Sequence, residues 1–331
     1  MQEIELLFKI SQLYYEQGLT QNDIAKKLFI SRSNISRLLK QAQELGIVEI
    51  TVHYPSERKR RIEVEFNNRF HLDEIRVVDL SNRTGYELYT ATTKLAAAYL
   101  NMQLNNDSVL ALTCGNSLCG MVHELRPKSY LPGMQVVPLM GSIESQNIIL
   151  DGYYLVRQVA EVYGCRYQCI MAPFRVDDAV MCQNLMRRPA MIETMSLAEN
   201  ATIMCTGIGA DMQSGYLAKN EHQAFFQHGA VGYIAGYYFD ENGNILDMPD
   251  IYGRLITASR KMFEIPTRCA VVADIKKARA TLAALRGGLI NALITNNVVA
   301  SLILSLDSAG ALSPDAPSFR DEPEQQAEDR Q

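Results

Sequence analysis

The sequence predicts an α/β protein in two parts: an N-terminal all-α (winged) helix-turn-helix domain and a larger C-terminal α/β domain with a mainly parallel sheet. Three observations carry this expectation. The 331 residues exceed what most single compact domains hold. Over the first 46 positions the apolar residues recur at helical spacing and are punctuated by Gly18 and Gly46. From Ile75 onward, short strand-like apolar runs alternate with helical ones, the pattern of strands joined by helical crossovers.

Taken in chain order, residues 3–17 read as a helix with Ile4, Leu7, Phe8, Ile10, Leu13 and Tyr14 at three- and four-residue spacings, ended by Gly18. Thr20 caps a short second helix in which Ile24, Ala25 and Leu28 face inward, with Asp23 where a capping box carries Glu. Phe29-Ile30 makes a turn and Ser31 is the next N-cap. In the third helix Ile35, Leu38, Leu39 and Ala42 form one apolar stripe, and Ser33, Arg37 and Lys40 lie opposite. Residues 47–52 alternate as a short wing-like strand before Pro55. A charged segment follows, with Ile62, Phe66 and Phe70 four apart, and reads as a linker or dimerising helix over 56–72. Strands are expected at 75–80, 109–114, 135–140, 166–172, 201–207, 230–238, 269–273 and 292–295, with helices between several of them, such as 85–104 and 153–163. The expected boundaries are 1–55 for the first domain, 56–72 for the linker and 73–312 for the α/β domain. Residues 313–331 are polar and acidic and form a tail expected to be disordered.

Composition narrows the function classes. At 47% hydrophobic and 21% charged the chain is an ordinary globular protein, and no run of about 18 apolar residues exists to span a membrane. Its start, MQEIELLFKI, is broken by charge and unlike a secretion signal, so a cytoplasmic location is expected. The seven cysteines are odd in number, form no Cys-x-x-Cys pair and read as reduced, mostly buried thiols. His53, His71, His123, His222 and His228 make no triad or metal motif, so no metal, cofactor or catalytic residue is expected.

Charge is distributed unevenly. The chain carries a net −5, yet residues 26–61 hold nine Lys and Arg against three acidic residues. A locally basic segment in an acidic protein points to a polyanion partner for that segment. A charged helix face is ordinarily just a solvated face. Residue size argues otherwise here: Ser33, Asn34 and Ser36 are short, poor helix formers where an idle surface would carry Glu, Lys or Gln. Short groups permit close approach to a groove, Arg forks guanine and Asn pairs with adenine. The candidate groove-contacting residues are therefore Arg32, Ser33, Asn34, Ser36 and Arg37, with Lys26, Lys27 and Lys40 on phosphates.

The stretch GLTQNDIAKKLFISRSNISRLLKQAQELGIVEI, residues 18–50, resembles the helix-turn-helix of the SorC/DeoR family of bacterial sugar-responsive transcriptional regulators. The matching residues are Gly18, Thr20, Gln21, Ile24-Ala25, Leu28, Ser31-Arg32, Ser36-Arg37-Leu38-Leu39 and Gly46-Ile47-Val48. Thr20, Gln21 and Ser31 join the candidate DNA contacts only through this resemblance of residues 18–50. Further on, CGNSLCGMVHEL, VVPLMGSI, MAPF, CTGIGA, GAVGYIAGYYFDENGNIL and KARATLAALRGGLINALITNNVVASLIL resemble that family's sugar-binding domain in order. The resemblance implies a fold similar to sugar-phosphate isomerases and deaminases, a phosphorylated sugar or related metabolite as effector, operator DNA as partner, and a homodimer or homotetramer.

Two small-residue loops after strands suit an anion on their own chemistry: Gly115-Asn116-Ser117 and Gly207-Ile208-Gly209. The resemblance adds Gly141 and Lys277 to these as effector contacts. It also marks departures. Cys114-Gly115-Asn116-Ser117 stands where the family usually has Trp-Gly-x-Thr, Tyr233 where an acid is common, Ala273-Asp274 for a Gly-Gly, and Asn296-Asn297 for an Asp-Glu. These losses imply either a ligand unlike the family average or a weakened pocket. A sugar-phosphate isomerase or deaminase is the alternative from the enzyme class, but the matched positions supply no carboxylate to act as general base.

Overall fold

The computed structural model describes residues 2–48, 60–80, 85–143, 147–210 and 216–308, arranged as two compact units, Met1–Pro55 and Ser56–Gln331. In the first unit α1 (Gln2–Ser11), α2 (Gln21–Leu28) and α3 (Arg32–Glu44) enclose a core of Leu7, Ile10, Leu13, Ile24, Ile35, Leu38, Leu39 and Ala42. Burying each large aliphatic side chain contributes about 1.5–3 kcal/mol. Both expected caps form: Thr20 Oγ1 accepts from Asp23 N–H at 3.3 Å, and Ser31 Oγ from Asn34 N–H at 3.3 Å.

The first expected helix is not uniform. After Ser11 the chain widens into a π-helical turn over Gln12–Glu16, where Gln17 N–H reaches Gln12 C=O at 3.0 Å. The buried Ser11 hydroxyl donates back to Leu7 C=O at 2.7 Å, a local competitor that periodicity alone does not reveal. Ile47 and Val48 form a bend, both donating to Ala42 C=O, and the remainder of the expected wing strand lies outside the described residues.

The second unit begins with α4 (Arg60–Phe70), which packs on β1 (Glu74–Val78) through the buried Phe66. Glu63 Oε1 accepts Val77 N–H at 2.9 Å, giving a partner to a donor on this edge strand. The chain continues through α5 (Gly85–Gln103), β2 (Val109–Leu112), α6 (Asn116–His123), β3 (Gln135–Pro138), α7 (Gly152–Tyr163) and β4 (Arg166–Tyr167). Next come α8 (Ala179–Met186), α9 (Pro189–Glu199), β5 (Ile203–Thr206) and α10 (Lys219–Gln227). They are followed by β6 (Gly232–Ile234), β7 (Tyr237–Phe239), α11 (Pro249–Tyr252), β8 (Thr267–Val272), α12 (Ala278–Arg286), β9 (Ala292–Asn296) and α13 (Asn297–Ser308).

Seven strands form one parallel sheet in the order β1-β9-β8-β5-β2-β3-β4. Its central strands are apolar on both faces, as a sheet covered on both sides requires. Leu110 and Leu112 of β2 enter one buried cluster with Val136, Ile203 and Val271, whereas Ala111 enters the other with Val137, Met204 and Ala270.

Two strand expectations are corrected. The 166–172 run is a strand only over Arg166–Tyr167, both exposed, because β4 is an edge paired to β3 for two residues. The 230–238 run leaves the main sheet altogether and folds into an antiparallel hairpin, β6-β7. Its two-residue turn, Ala235-Gly236, has positive φ at both positions (49° and 89°), the geometry that suits a tight hairpin. The tail 313–331 and residues 56–59 of the charged segment lie outside the described residues.

Candidate nucleic-acid interface and effector crevice

Within the first unit, α3 is buried along one stripe and open along the other. Arg32, Ser33, Ser36, Arg37 and Lys40 are exposed, while Asn34 sits half-buried on the shoulder between the two faces. The face is organised by short hydrogen bonds. The hydroxyls of Ser31 and Ser33 lie 3.1 Å apart, and Arg37 Nη2 donates to Asn34 Oδ1 at 3.0 Å. Lys40 has only a long, exposed pairing with Glu44 at 3.9 Å, which leaves its charge available. Thr20 is exposed at the N-cap of α2 and Gln21 opens that helix half-buried. Together with Tyr14, Tyr15 and Arg32 they border a shallow groove of about 630 Å³. Tyr15 was not anticipated from the sequence: the π-helical turn presents it to α3, where Gln43 Nε2 donates to its hydroxyl at 2.9 Å. Phe29 turns the chain at φ 57° and is 96% exposed.

In the second unit the direction of chain travel reverses between β2 and β5. From β2 the chain moves outward to β3 and β4; from β5 it moves the other way, to β8 and β9. The crevice beyond the C-terminal ends of two such strands is where open α/β sheets hold ligands. Both small-residue loops expected from sequence emerge there and are tied together: Thr113 Oγ1 donates to Thr206 Oγ1 at 3.2 Å, and Gly207 N–H donates to Thr113 Oγ1 at 3.3 Å. Gly115, at φ 111°, adopts a backbone that side-chain-bearing residues avoid and serves as N-cap of α6. Asn116 is exposed and Ser117 buried.

The other effector candidates divide by environment. A Cβ on Gly141 would meet Pro173 C=O at 2.6 Å, so this glycine permits two backbone segments to touch. A Cβ on Gly209 would fall 2.1–2.5 Å from atoms of the Tyr233 ring, and the two residues exchange backbone hydrogen bonds of 2.9 Å. Gly207 has nothing within 4 Å of that position. Lys277 is half-buried in a 3₁₀ turn, Ile275–Lys277, at the C-terminal end of β8, the neighbour of β5. Asn296 is spent on structure: its Oδ1 accepts the Val298 and Val299 N–H groups at 3.1 and 3.0 Å, capping α13.

Sequence reasoning missed the aromatic wall of this crevice. The Tyr216 hydroxyl lies 3.3 Å from a Cβ position on Gly115, and its ring stands edge-on to Phe174 and Tyr233. Burial pushes the Cys114 thiol up to about 12, the adjacent Tyr216 hydroxyl acting against this, so the thiol stays neutral. Burial likewise raises Tyr216 above the ordinary tyrosine range. No sequence signal placed Tyr216 here, because its neighbours Gly115, Phe174 and Tyr233 come from distant segments of the chain. Among the described residues no group of three or more His, Cys, Asp or Glu could hold a metal, and no helix is long and apolar enough to cross a membrane.

A helical unit with a small, basic open helix face, in one chain with a doubly wound sheet and a switch-point crevice, defines a DNA-binding regulator with an effector domain. The comparisons agree. Residues 54–305 match the Sugar-bind family, a sugar-binding domain, and residues 10–62 match the MarR family. The chain belongs to the SorC/DeoR family of sugar-binding transcriptional regulators. It is 29% identical over 315 residues to the transcriptional regulator LsrR of Klebsiella pneumoniae, covering 92% of this chain and 94% of that protein. LsrR of Enterobacter sp. (strain 638) is 28% identical over 313 residues, with the same coverage of 92% and 94%. In fold it is similar to the full-length sorbitol operon regulator SorC of Klebsiella pneumoniae, with a TM-score of 0.75, 24% identity, and 91% of this chain and 98% of that one covered. A transcriptional regulator from Streptococcus pneumoniae TIGR4 aligns at a TM-score of 0.71 and 19% identity over 75% of this chain and 97% of its own.

Proposed function

We propose that this regulator binds operator DNA in the cytoplasm as a homodimer or homotetramer, and that a phosphorylated sugar or related carbohydrate metabolite in the crevice changes its DNA affinity. Residues 1–55 supply the DNA contacts, through Thr20, Gln21, Ser31, Arg32, Ser33, Ser36, Arg37 and Lys40. Residues 73–312 form the effector domain, where Gly115, Asn116, Ser117, Gly207 and Lys277 meet the ligand while Gly141 and Gly209 keep the walls close. The observation that carries the reading is the open face of α3, where short hydroxyls and two arginines surround a stripe-buried helix. No catalytic step is assigned: Tyr233 is packed on Gly209 and Asn296 caps a helix, so neither matched position offers a general base.

The test is a mobility shift on DNA upstream of the chain's own operon, with and without a panel of sugar phosphates. The expected result is a specific shift, altered by at least one ligand and weakened by about 1–3 kcal/mol in Arg37→Ala. No specific shift under any condition would refute DNA recognition. A shift insensitive to every ligand, with no thermal stabilisation by any of them, would refute effector control.

A further inference from the structure

We infer that Asn34 is a positioning residue for Arg37 and does not read a base itself; the inference rests on the reading of α3 as the DNA-recognition helix. By residue type, Asn34 is the natural adenine reader of this face. That task needs both amide atoms at once, the oxygen accepting from N6 and the nitrogen donating to N7. Here the oxygen is already engaged, accepting from Arg37 Nη2 at 3.0 Å. The assignment of oxygen to this contact is chemical: a guanidinium has donors only, so the amide atom facing it must be the acceptor.

Position on the helix agrees. Asn34 is half-buried on the shoulder of α3, whereas Ser33, Ser36, Arg37 and Lys40 project outward. Its backbone N–H is also fixed, by the Ser31 hydroxyl at 3.3 Å. Asn34 is thus held at the first turn of the helix and holds Arg37 one turn later. A guanidinium has two forks that share Nη2, one with Nε and one with Nη1. Occupying one Nη2 hydrogen leaves the other fork complete, which is what a bidentate contact to guanine O6 and N7 needs. An exposed arginine otherwise loses its side-chain freedom on docking. Asn34 removes part of that freedom before DNA arrives. Ser33 and Ser36, being short, leave the fork unobstructed.

The experiment selects duplexes from a random pool with the full-length wild-type protein. It then measures affinity for the selected site and its single-base-pair variants with Arg37→Ala, Asn34→Ala, the double variant and Asn34→Asp. Arg37→Ala is expected to lose about 10- to 100-fold of the preference at one G·C pair. Asn34→Ala should lose about 2- to 10-fold at that same pair and nowhere else, with no further loss once Arg37 is alanine. Asn34→Asp keeps an acceptor but no amide donor, so it should retain the G·C preference while binding all DNA more weakly. Loss of preference at an A·T pair in Asn34→Ala, independent of Arg37, would overturn the inference and leave DNA recognition standing. So would loss of the G·C preference in Asn34→Asp. Failure of the wild type to enrich any sequence would remove both. Far-ultraviolet circular dichroism and thermal melts of Asn34→Ala that match the wild type show that the helix is intact.

Discussion

Gly207 and Gly209 stand two residues apart in one loop and answer to different constraints. Replacing Gly209 with alanine puts a methyl group 2.1–2.5 Å from three atoms of the Tyr233 ring, well inside contact distance. Tyr233 is 5% exposed and stands beside Tyr216, Tyr238 and His222, so its ring has no open space to enter. Overpacking of this kind costs about 1–3 kcal/mol, and the backbone hydrogen bonds between the two residues resist any shift of the chain. Gly209→Ala should therefore lower the effector domain's stability by about 2–3 kcal/mol, a melting shift of about 4–10 °C. Tyr233→Ala should cost about 3–5 kcal/mol by itself. With the ring removed the extra methyl fits, so Gly209→Ala on that background should cost about nothing, a coupling of about 2 kcal/mol. Urea denaturation of the four proteins, followed by tyrosine fluorescence, measures the cycle. Additive losses would refute the argument, since they would mean that the ring is not what the methyl meets. Gly207→Ala is the control: with no atom within 4 Å its stability should change by less than about 0.5 kcal/mol, while its methyl enters the crevice and lowers ligand response.

Three further outcomes are expected. Phe29→Gly should stabilise the helical unit by about 0.5–1 kcal/mol in thermal melts, because the side chain is 96% exposed and its φ of 57° carries a left-handed penalty that glycine avoids. Glu221 is 6% exposed, accepts from Arg175 at 2.6 and 3.0 Å and forms an ion pair with Arg254 at 2.5 Å. Burial works to raise its pKa, but the Arg175 hydrogen bonds and the two positive charges outweigh it and leave it low. Its stabilisation is thus present above the ordinary carboxylate value and lost as pH falls through the lower folded one, and urea midpoints should show an acid loss below pH 4.5 that Glu221→Gln removes. Cys114 has the opposite sign. Its folded pKa of about 12 lies above the ordinary 9.0, so its contribution is complete below pH 9 and declines through pH 12; Cys114→Ala should flatten that alkaline slope in the same titration.

The helical unit was legible because its determinants are local. The stripe Ile35, Leu38, Leu39 and Ala42 is a spacing within three turns, and the Thr20 and Ser31 caps are contacts over three residues. The largely buried strands β2, β5, β8 and β9 were legible as apolar runs for the same reason. The hairpin β6-β7 was not, because Ala235 sits where a glycine or asparagine would have announced the turn, and the two strands merged into one apolar run. The π-helical turn that presents Tyr15 was hidden as well, since an inserted residue does not disturb a mixed three-and-four spacing enough to be seen.

The sequence by itself determined the capped starts of α2 and α3 and which side of α3 is open, because periodicity and capping act between near neighbours. Only the tertiary structure decided that β2 and β5 are adjacent, that Thr113 meets Thr206 there, and that Tyr216 lines the same crevice. It alone separated Gly207 from Gly209. Strand order and close approach are set by how distant segments pack, and a packing contact leaves no period in the chain.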